Sequence, residues 1–340
     1  MRNSLAKSSV RLIRHSVVTV VVLISGLITA RATAQALSWS APMTNINYAA
    51  GGDTDRQGVG YVNFHNAMWV ARTNPILPDG NGAYSVYIGA NTDGSPTYGT
   101  QTEVTINGQL IGAKGNVSLA VFNGFLYLAY SDGFNAIRLA QSPDGINWTS
   151  ALAQPGAYCA SPAGDPEITA FGANLIVASN SNGQLNVCTV DTSGNVLSSV
   201  NTGFSIGFGA GLIQYGSTLF IAMQNASNHN VDLYYSTNGV NFSYSNALAS
   251  QQTSTNPSFG IHNGVLYVGF RTNDGDHKFI YKYSTNGLSW SGNQDPHYTM
   301  GGPPALANAD SLTGSPYANA LFNAFSANAS NHYLYSAHGN

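Results

Sequence analysis

The chain has 340 residues, only 8% of them charged, with 37 Gly, 19 Tyr and a formal net charge of −3. A hydrophobic fraction of 43% supports a full core and excludes a disordered chain. The sparse, acidic charge excludes nucleic acid and anionic membrane surfaces as partners, and the Gly, Asn, Ser and Tyr content suits short strands joined by tight turns.

In chain order, Lys7, Arg11 and Arg14 precede the apolar run Val17–Ile28 and the small-residue stretch ATAQA at Ala32–Ala36. This layout predicts a secretory signal over residues 1–36, cut after Ala36, and a secreted or periplasmic product. The apolar run of about 12 residues falls short of the roughly 20 that span a bilayer, so no membrane insertion is expected after cleavage. Residues 1–36 hold five basic side chains and no acids, which leaves 37–340 with seven basic and fifteen acidic residues, a formal charge of −8. Cys159 and Cys188 fit one disulfide in an exported protein.

The remainder, 37–340, reads as one domain built from a repeat. An apolar strand, a turn near Asn-Gly and a second strand recur as AVFNGFLYLAY (Ala120–Tyr130), TAFGANLIVAS (Thr169–Ser179), LIQYGSTLFIAM (Leu212–Met223) and FGIHNGVLYVGF (Phe259–Phe270). Weaker copies are VNFHNAMWVA (Val62–Ala71) and SPYANALFNAF (Ser315–Phe325), and the turn glycines Gly124, Gly172, Gly216 and Gly264 are spaced 48, 44 and 48 apart. A second turn follows: QSPDGINW (Gln141–Trp148), YSTNGVNF (Tyr235–Phe242) and YSTNGLSW (Tyr283–Trp290), with worn forms NTDGSPTY (Asn91–Tyr98) and DTSGNVLS (Asp191–Ser198). In such a turn Ser and Asp or Asn bond the local backbone, and Gly takes the left-handed conformation. Four strands per unit, six times, predict an all-β, six-bladed β-propeller. The final unit stops at YSAHGN, Tyr335–Asn340, and LSWS, Leu37–Ser40, reads as its missing continuation. The N-terminal strand is therefore expected to complete the last blade and close the ring.

These turns resemble the Asp-box, or bacterial neuraminidase repeat, of sialidase-like propellers. The residues that carry the likeness are Ser142, Asp144, Gly145 and Trp148; Ser236, Asn238, Gly239 and Phe242; and Ser284, Asn286, Gly287 and Trp290. The spacing is one residue tighter than the usual box, and only Asp144 keeps the acid. The resemblance implies structural turns on the outer rim, away from the active face, in a class that mostly binds or cleaves carbohydrate outside the cell. Sialidases of that class hold their substrate with three arginines and use a Tyr–Glu nucleophile and an Asp acid/base. Here 37–340 supplies Arg56, Arg72, Arg138 and Arg271, with Glu103 and Glu167 as the glutamates, and no Arg-Ile-Pro signature. A true sialidase is not expected.

Candidate chemistry lies in the segments that lead into blades. GGDTDRQG carries Asp53, Asp55 and Arg56; AGDPEIT carries Asp165 and Glu167; PPALANAD carries Asp310. Carboxylates from opposite blades suit the acid and base of glycoside cleavage, and the same residues also suit solvated caps of loops. Arg72 and Arg271 read as matching positions of two blades, placed to hold a polyhydroxyl or anionic ligand or to pair with local acids. Asp274–Asp276 and Gly52–Asp55 offer oxygen ligands to Ca²⁺ but not the count of a known loop motif, so no cofactor is expected. Tyr84, Phe134, Tyr158 and Tyr298 are loop aromatics suited to stacking on a sugar. The reading is a lectin-like propeller that recognises carbohydrate at its channel face. The alternatives are an exo-acting glycoside hydrolase using the entry-loop carboxylates, and a protein-binding scaffold.

Overall fold

A computed structural model describes residues 36–46, 58–78, 82–91, 101–309, 312, 315, 319–326 and 334–340. The signal read over residues 1–36 lies, except for Ala36, outside the described residues, as do Asp53, Asp55, Arg56 and Asp310.

The expected six-bladed propeller is what the chain forms. From channel to rim, blade 1 runs Gly60–Phe64, Ala67–Pro78, Tyr84–Asn91 and Thr102–Glu103. Blade 2 runs Val117–Phe122, Phe125–Ser131, Ile137–Ser142 and Thr149–Ser150. Blade 3 runs Gly164–Phe171, Asn174–Ser181, Gln184–Val190 and Val196–Ser205. Blade 4 runs Ala210–Tyr215, Thr218–Gln224, Val231–Ser236 and Ser243–Ser245. Blade 5 has Ser258–His262, Val265–Arg271 and Phe279–Ser284, with isolated bridges from Gln294 and Thr299 in place of a fourth strand. Blade 6 has Ala305–Asn308, Leu321–Ser326 and Leu334–Gly339, completed by Met43–Ile46. Each inner strand touches the inner strands of both flanking blades, all the way round.

Closure follows the expectation in kind but not in register. Trp39 bridges Gly339, and the Ser38 N–H donates to the Asn340 carbonyl at 3.1 Å. The match of YSAHGN to YSTNGL, however, is shifted. His338 pairs with Phe322 as Tyr283 pairs with Tyr267, so Gly339, not Ser336, corresponds to Ser284. Tyr335–Gly339 is strand rather than turn, and Trp39 packs edge-on to Phe279 and Tyr281 at 5.4 and 5.6 Å instead of covering a turn. Strand register follows which side chains the core can bury, and a one-residue slip reverses every one of them. A short shared phrase does not override that.

The three Ser-x-Asp/Asn-Gly turns share one geometry. Ser142 Oγ accepts from the Gly145 N–H at 2.8 Å, and Asp144 Oδ1 accepts from Ile146 and Asn147 at 2.9 and 2.8 Å. Ser236 with Asn238, and Ser284 with Asn286, repeat the pattern. Trp148 and Trp290 fold back so that each indole N–H reaches the carbonyl of its own turn glycine. The glycine also explains the recurring aromatic of the second strand: Gly145 lies against Trp69 of blade 1, and Gly287 against Phe220 of blade 4. Each turn thus presses on the preceding blade.

Gly287→Ala should therefore destabilise by about 3 kcal/mol or more, adding overpacking against Phe220 to the left-handed penalty at φ +73°. Gly124→Ala, also left-handed but with open space around it, should lose only about 1 kcal/mol. Urea unfolding of the pair isolates the contact; equal losses would remove it from the account.

Cys159 and Cys188, whose pairing the sequence leaves open, form a disulfide with Cα atoms 5.6 Å apart. It ties the loop before blade 3 to that blade's third strand.

Candidate functional site

Pairing with the second strand fixes equivalent positions on the six inner strands. Opposite Ala71, Ala129, Ala178, Ala222, Gly269 and Ala324 stand Gly60, Ser118, Glu167, Gly211, Ser258 and Ala305. Five of these six are among the smallest side chains, because inner strands approach closely here: a Cβ on Gly60 or Gly211 would run into the backbone of the next blade. Glu167 is the exception, one carboxyl in a layer of small residues.

Ser118 holds it. The Ser118 hydroxyl accepts from the Ile168 N–H at 3.2 Å and hydrogen-bonds the Glu167 carboxyl. A cavity of about 410 Å³, lined by all six inner strands, lies below Glu167. Part of the side chain is wetted through that space. Burial by the surrounding protein nevertheless pushes the carboxyl up to about 8, with the Ser118 bond opposing. Such a group holds a proton near neutral pH and can donate it, as a general acid must.

One layer nearer the entry loops the positions are Gly58, Asn116, Asp165, Gly209, Asn256 and Pro303. A repeated staple operates here. Asn116 accepts from the Gly58 N–H of the preceding blade, and Asn256 from the Gly209 N–H at 2.7 Å. Asp165 does the same to the Asn116 N–H at 3.3 Å. Asp165 sits at a break in register between Gly164 and Glu167, in left-handed backbone at φ 48°. Bulges of this kind re-aim side chains, and a non-glycine residue held there stores about 1–2 kcal/mol. Burial raises its carboxyl as well, the Asn116 N–H opposing.

Asp165 also ends a groove of about 420 Å³ between blades 2 and 3, lined by Lys114, Asn135, Asn180 and Asn182. Asn135 and Asn182 tip the turns between second and third strands, both left-handed at φ 58° and 53°. The structure thus brings together an amide-lined groove and two carboxyls with raised proton affinity.

The other predicted site residues fall elsewhere. Arg72 and Arg271 are not equivalent: Arg72 follows Trp69 by three positions and Arg271 follows Tyr267, the equivalent residue, by four, so they face opposite sides of their sheets. Arg72 Nε donates to Gln101 at 2.6 Å, with its guanidinium 5.0 Å over Tyr87. Arg271 donates to the Gly301 carbonyl. Both are buried and neither lines the groove or the channel cavities. Asp274 accepts from the Thr272 hydroxyl at 2.6 Å, and Asp276 pairs with Lys278 at 3.1 Å. Tyr298 lies outside any strand but its ring is buried in the core, stacked on Phe279 and Phe325 at 5.2 and 5.1 Å, whereas Phe134 is 74% exposed beside Asn135. Glu167's place in the small-residue layer was missed from sequence. Aligning GYVNF, SLAVF, EITAF, GLIQY and SFGIH would have displayed it.

No family model matches the chain, and no curated protein does. Solved structures do. A Trypanosoma rangeli sialidase in complex with the inhibitor DANA superposes with a TM-score of 0.59 at 10% identity, over 87% of this chain and 55% of that one. A Penicillium chrysogenum α-L-arabinanase complexed with arabinobiose gives 0.58 at 15% identity, over 88% and 98%. A Hadza microbial sialidase gives 0.59 at 10%, over 83% and 65%. The chain therefore spans less than two thirds of either sialidase and nearly all of the arabinanase. At these identities the likeness is one of fold: a β-propeller shared with these sialidases and the arabinanase.

Proposed function

We propose that this protein is an exported carbohydrate-recognising propeller that takes its glycan at the channel mouth, in the groove between blades 2 and 3. The observation that carries the reading is the groove itself. Amides on fixed turn tips, which both donate and accept, meet a carboxyl at its inner end, a set suited to vicinal hydroxyls. The solved sialidases and the arabinanase with the same fold support a saccharide as ligand. The Ser-x-Asp/Asn-Gly turns read as relaxed Asp boxes and serve the fold.

A second reading rests on Glu167. A carboxyl still protonated near pH 7, with a second carboxyl two residues before it on the same strand, supplies the residue types a glycoside hydrolase uses. In that case Glu167 is the acid and Asp165 its partner.

Asp165→Asn separates ligand binding from folding, because Asn116 and Asn256 perform the same staple in their own blades. The variant should fold normally and bind a glycan hit from an array of residues 37–340 about tenfold more weakly, the loss of one charge-assisted bond. Unchanged affinity would move the site away from the groove. Product release from that glycan, lost in Glu167→Gln, would decide for the hydrolase.

A further inference from the structure

We infer that the groove selects uncharged saccharides and turns away glycans that present a carboxylate at the channel mouth; this deepens the carbohydrate reading and rests on it. Its inner end is Asp165, and Glu167 stands behind in the adjoining channel cavity. An anionic ligand would place its negative group beside the Asp165 carboxylate, where the protein walls screen charge less than water does, and in front of Glu167, which holds its proton near neutral pH and offers no counter-charge.

Cations that could offset this are engaged elsewhere. Arg138 is bound to Asp132 at 2.8 Å and to the Ala157 carbonyl at 2.6 Å, pinning the loop before blade 3. Arg72 and Arg271 are buried on Gln101 and Gly301. Among the described residues Lys114 is the one cation that lines the groove. A lone ammonium is a strongly hydrated point charge without the planar fork that grips a carboxylate, and Asp165 offsets it. The remaining polar side chains of the lining are the amides of Asn135, Asn180 and Asn182 and the Ser131 hydroxyl. Asn135 and Asn182 are exposed and held by left-handed turns, so little ordering is needed when a hydroxyl binds. Phe134, next to Asn135, adds an exposed ring for the C–H face of a pyranose.

The test is titration calorimetry at pH 7 with matched probes: galacto-oligosaccharide against oligogalacturonate, and lactose against sialyllactose. The neutral member of a binding pair should bind at least about tenfold tighter. Asp165→Asn should narrow that gap, and Asn182→Ala, at an exposed tip, should weaken the neutral member severalfold. An anionic member that binds as tightly as its neutral match overturns the inference while leaving carbohydrate recognition standing. Neutral binding indifferent to Asn182→Ala removes the groove as its site and overturns it too. Folded protein that binds no member of either pair or of a glycan array takes down the carbohydrate reading itself.

Discussion

Glu167→Gln should make the protein more stable in alkali and change it little in acid. The ordinary pKa of the carboxyl, 4.5, rises to about 8 on folding, through burial. Below pH 4.5 it is protonated in folded and unfolded chains alike, and its contribution to stability is fully present. Between pH 4.5 and 8 the unfolded chain ionises while the folded one does not, which erodes stability by about 1.4 kcal/mol per unit. Above 8 the loss is complete, on the order of 5 kcal/mol. Gln cannot ionise, so urea midpoints of variant and parent should diverge steadily from pH 5 to 8 and run parallel outside that window. Parallel profiles throughout would mean that the throat is wet, the carboxyl ordinary, and the acid role without support. Asp144 acts in the opposite sense: the Asn147 and Ile146 N–H groups lower its pKa below 3.8. Its contribution is present above that value and lost as pH falls further, in both proteins.

The same substitution divides the two functional readings. Removing a general acid lowers turnover by about 10²–10⁴, whereas a binder needs only the shape and hydrogen bonds of the throat, which Gln largely preserves. Asp165→Asn is the companion. It conserves the inter-blade staple and removes the charge, so its effects belong to the ligand.

What could be read from the sequence was what the repeat encodes directly. The turn glycines are imposed by the left-handed backbone of their hairpins, and the aromatic of five of the six second strands and the Ser-x-Asp/Asn-Gly phrases by packing between blades. They recur because each blade meets the same neighbour, as Gly287 meets Phe220. Less legible was anything that depends on departing from the repeat. Arg72 and Arg271 look alike in ARTN and FRTN, yet one residue of offset puts them on opposite faces. Glu167 and Asp165 looked like two acids of an entry loop. Pairing shows instead that Asp165 belongs to a staple otherwise made by Asn, and that Glu167 occupies a position elsewhere reserved for Gly, Ser or Ala. A bulge between them, which no periodicity predicts, sets their aim.

Trp39→Ala should lower the stability of the whole molecule by about 3 kcal/mol, at the low end for truncating a large aromatic because the ring is only half-buried. The residue belongs to a strand far from blade 6 in sequence but joined to it by hydrogen bonds at Ser38, Ser40 and Asn340. It also clamps blade 5, where the Tyr281 hydroxyl accepts from the Leu37 N–H at 2.8 Å. A propeller gains cooperativity only when its ring is complete, since an open ring leaves two blade faces and one sheet edge in water. Deleting residues 37–46 should therefore cost more than the sum of the contacts it removes. A synthetic peptide of that sequence, added in excess, should restore part of the loss in proportion to the logarithm of its concentration. Because Ser38 and Asn340 exchange backbone hydrogen bonds at 3.1 and 3.2 Å, a two- or three-residue linker from Asn340 to Leu37 fits a hairpin. A permutant so joined, and opened at the Asn107–Gly108 turn, should melt above the parent, since closure becomes local and its entropy loss smaller. If Trp39→Ala, the deletion and the permutant all melt with the parent, the N-terminal strand does not close the ring in solution. The stability would then have to reside in the blade-to-blade contacts alone.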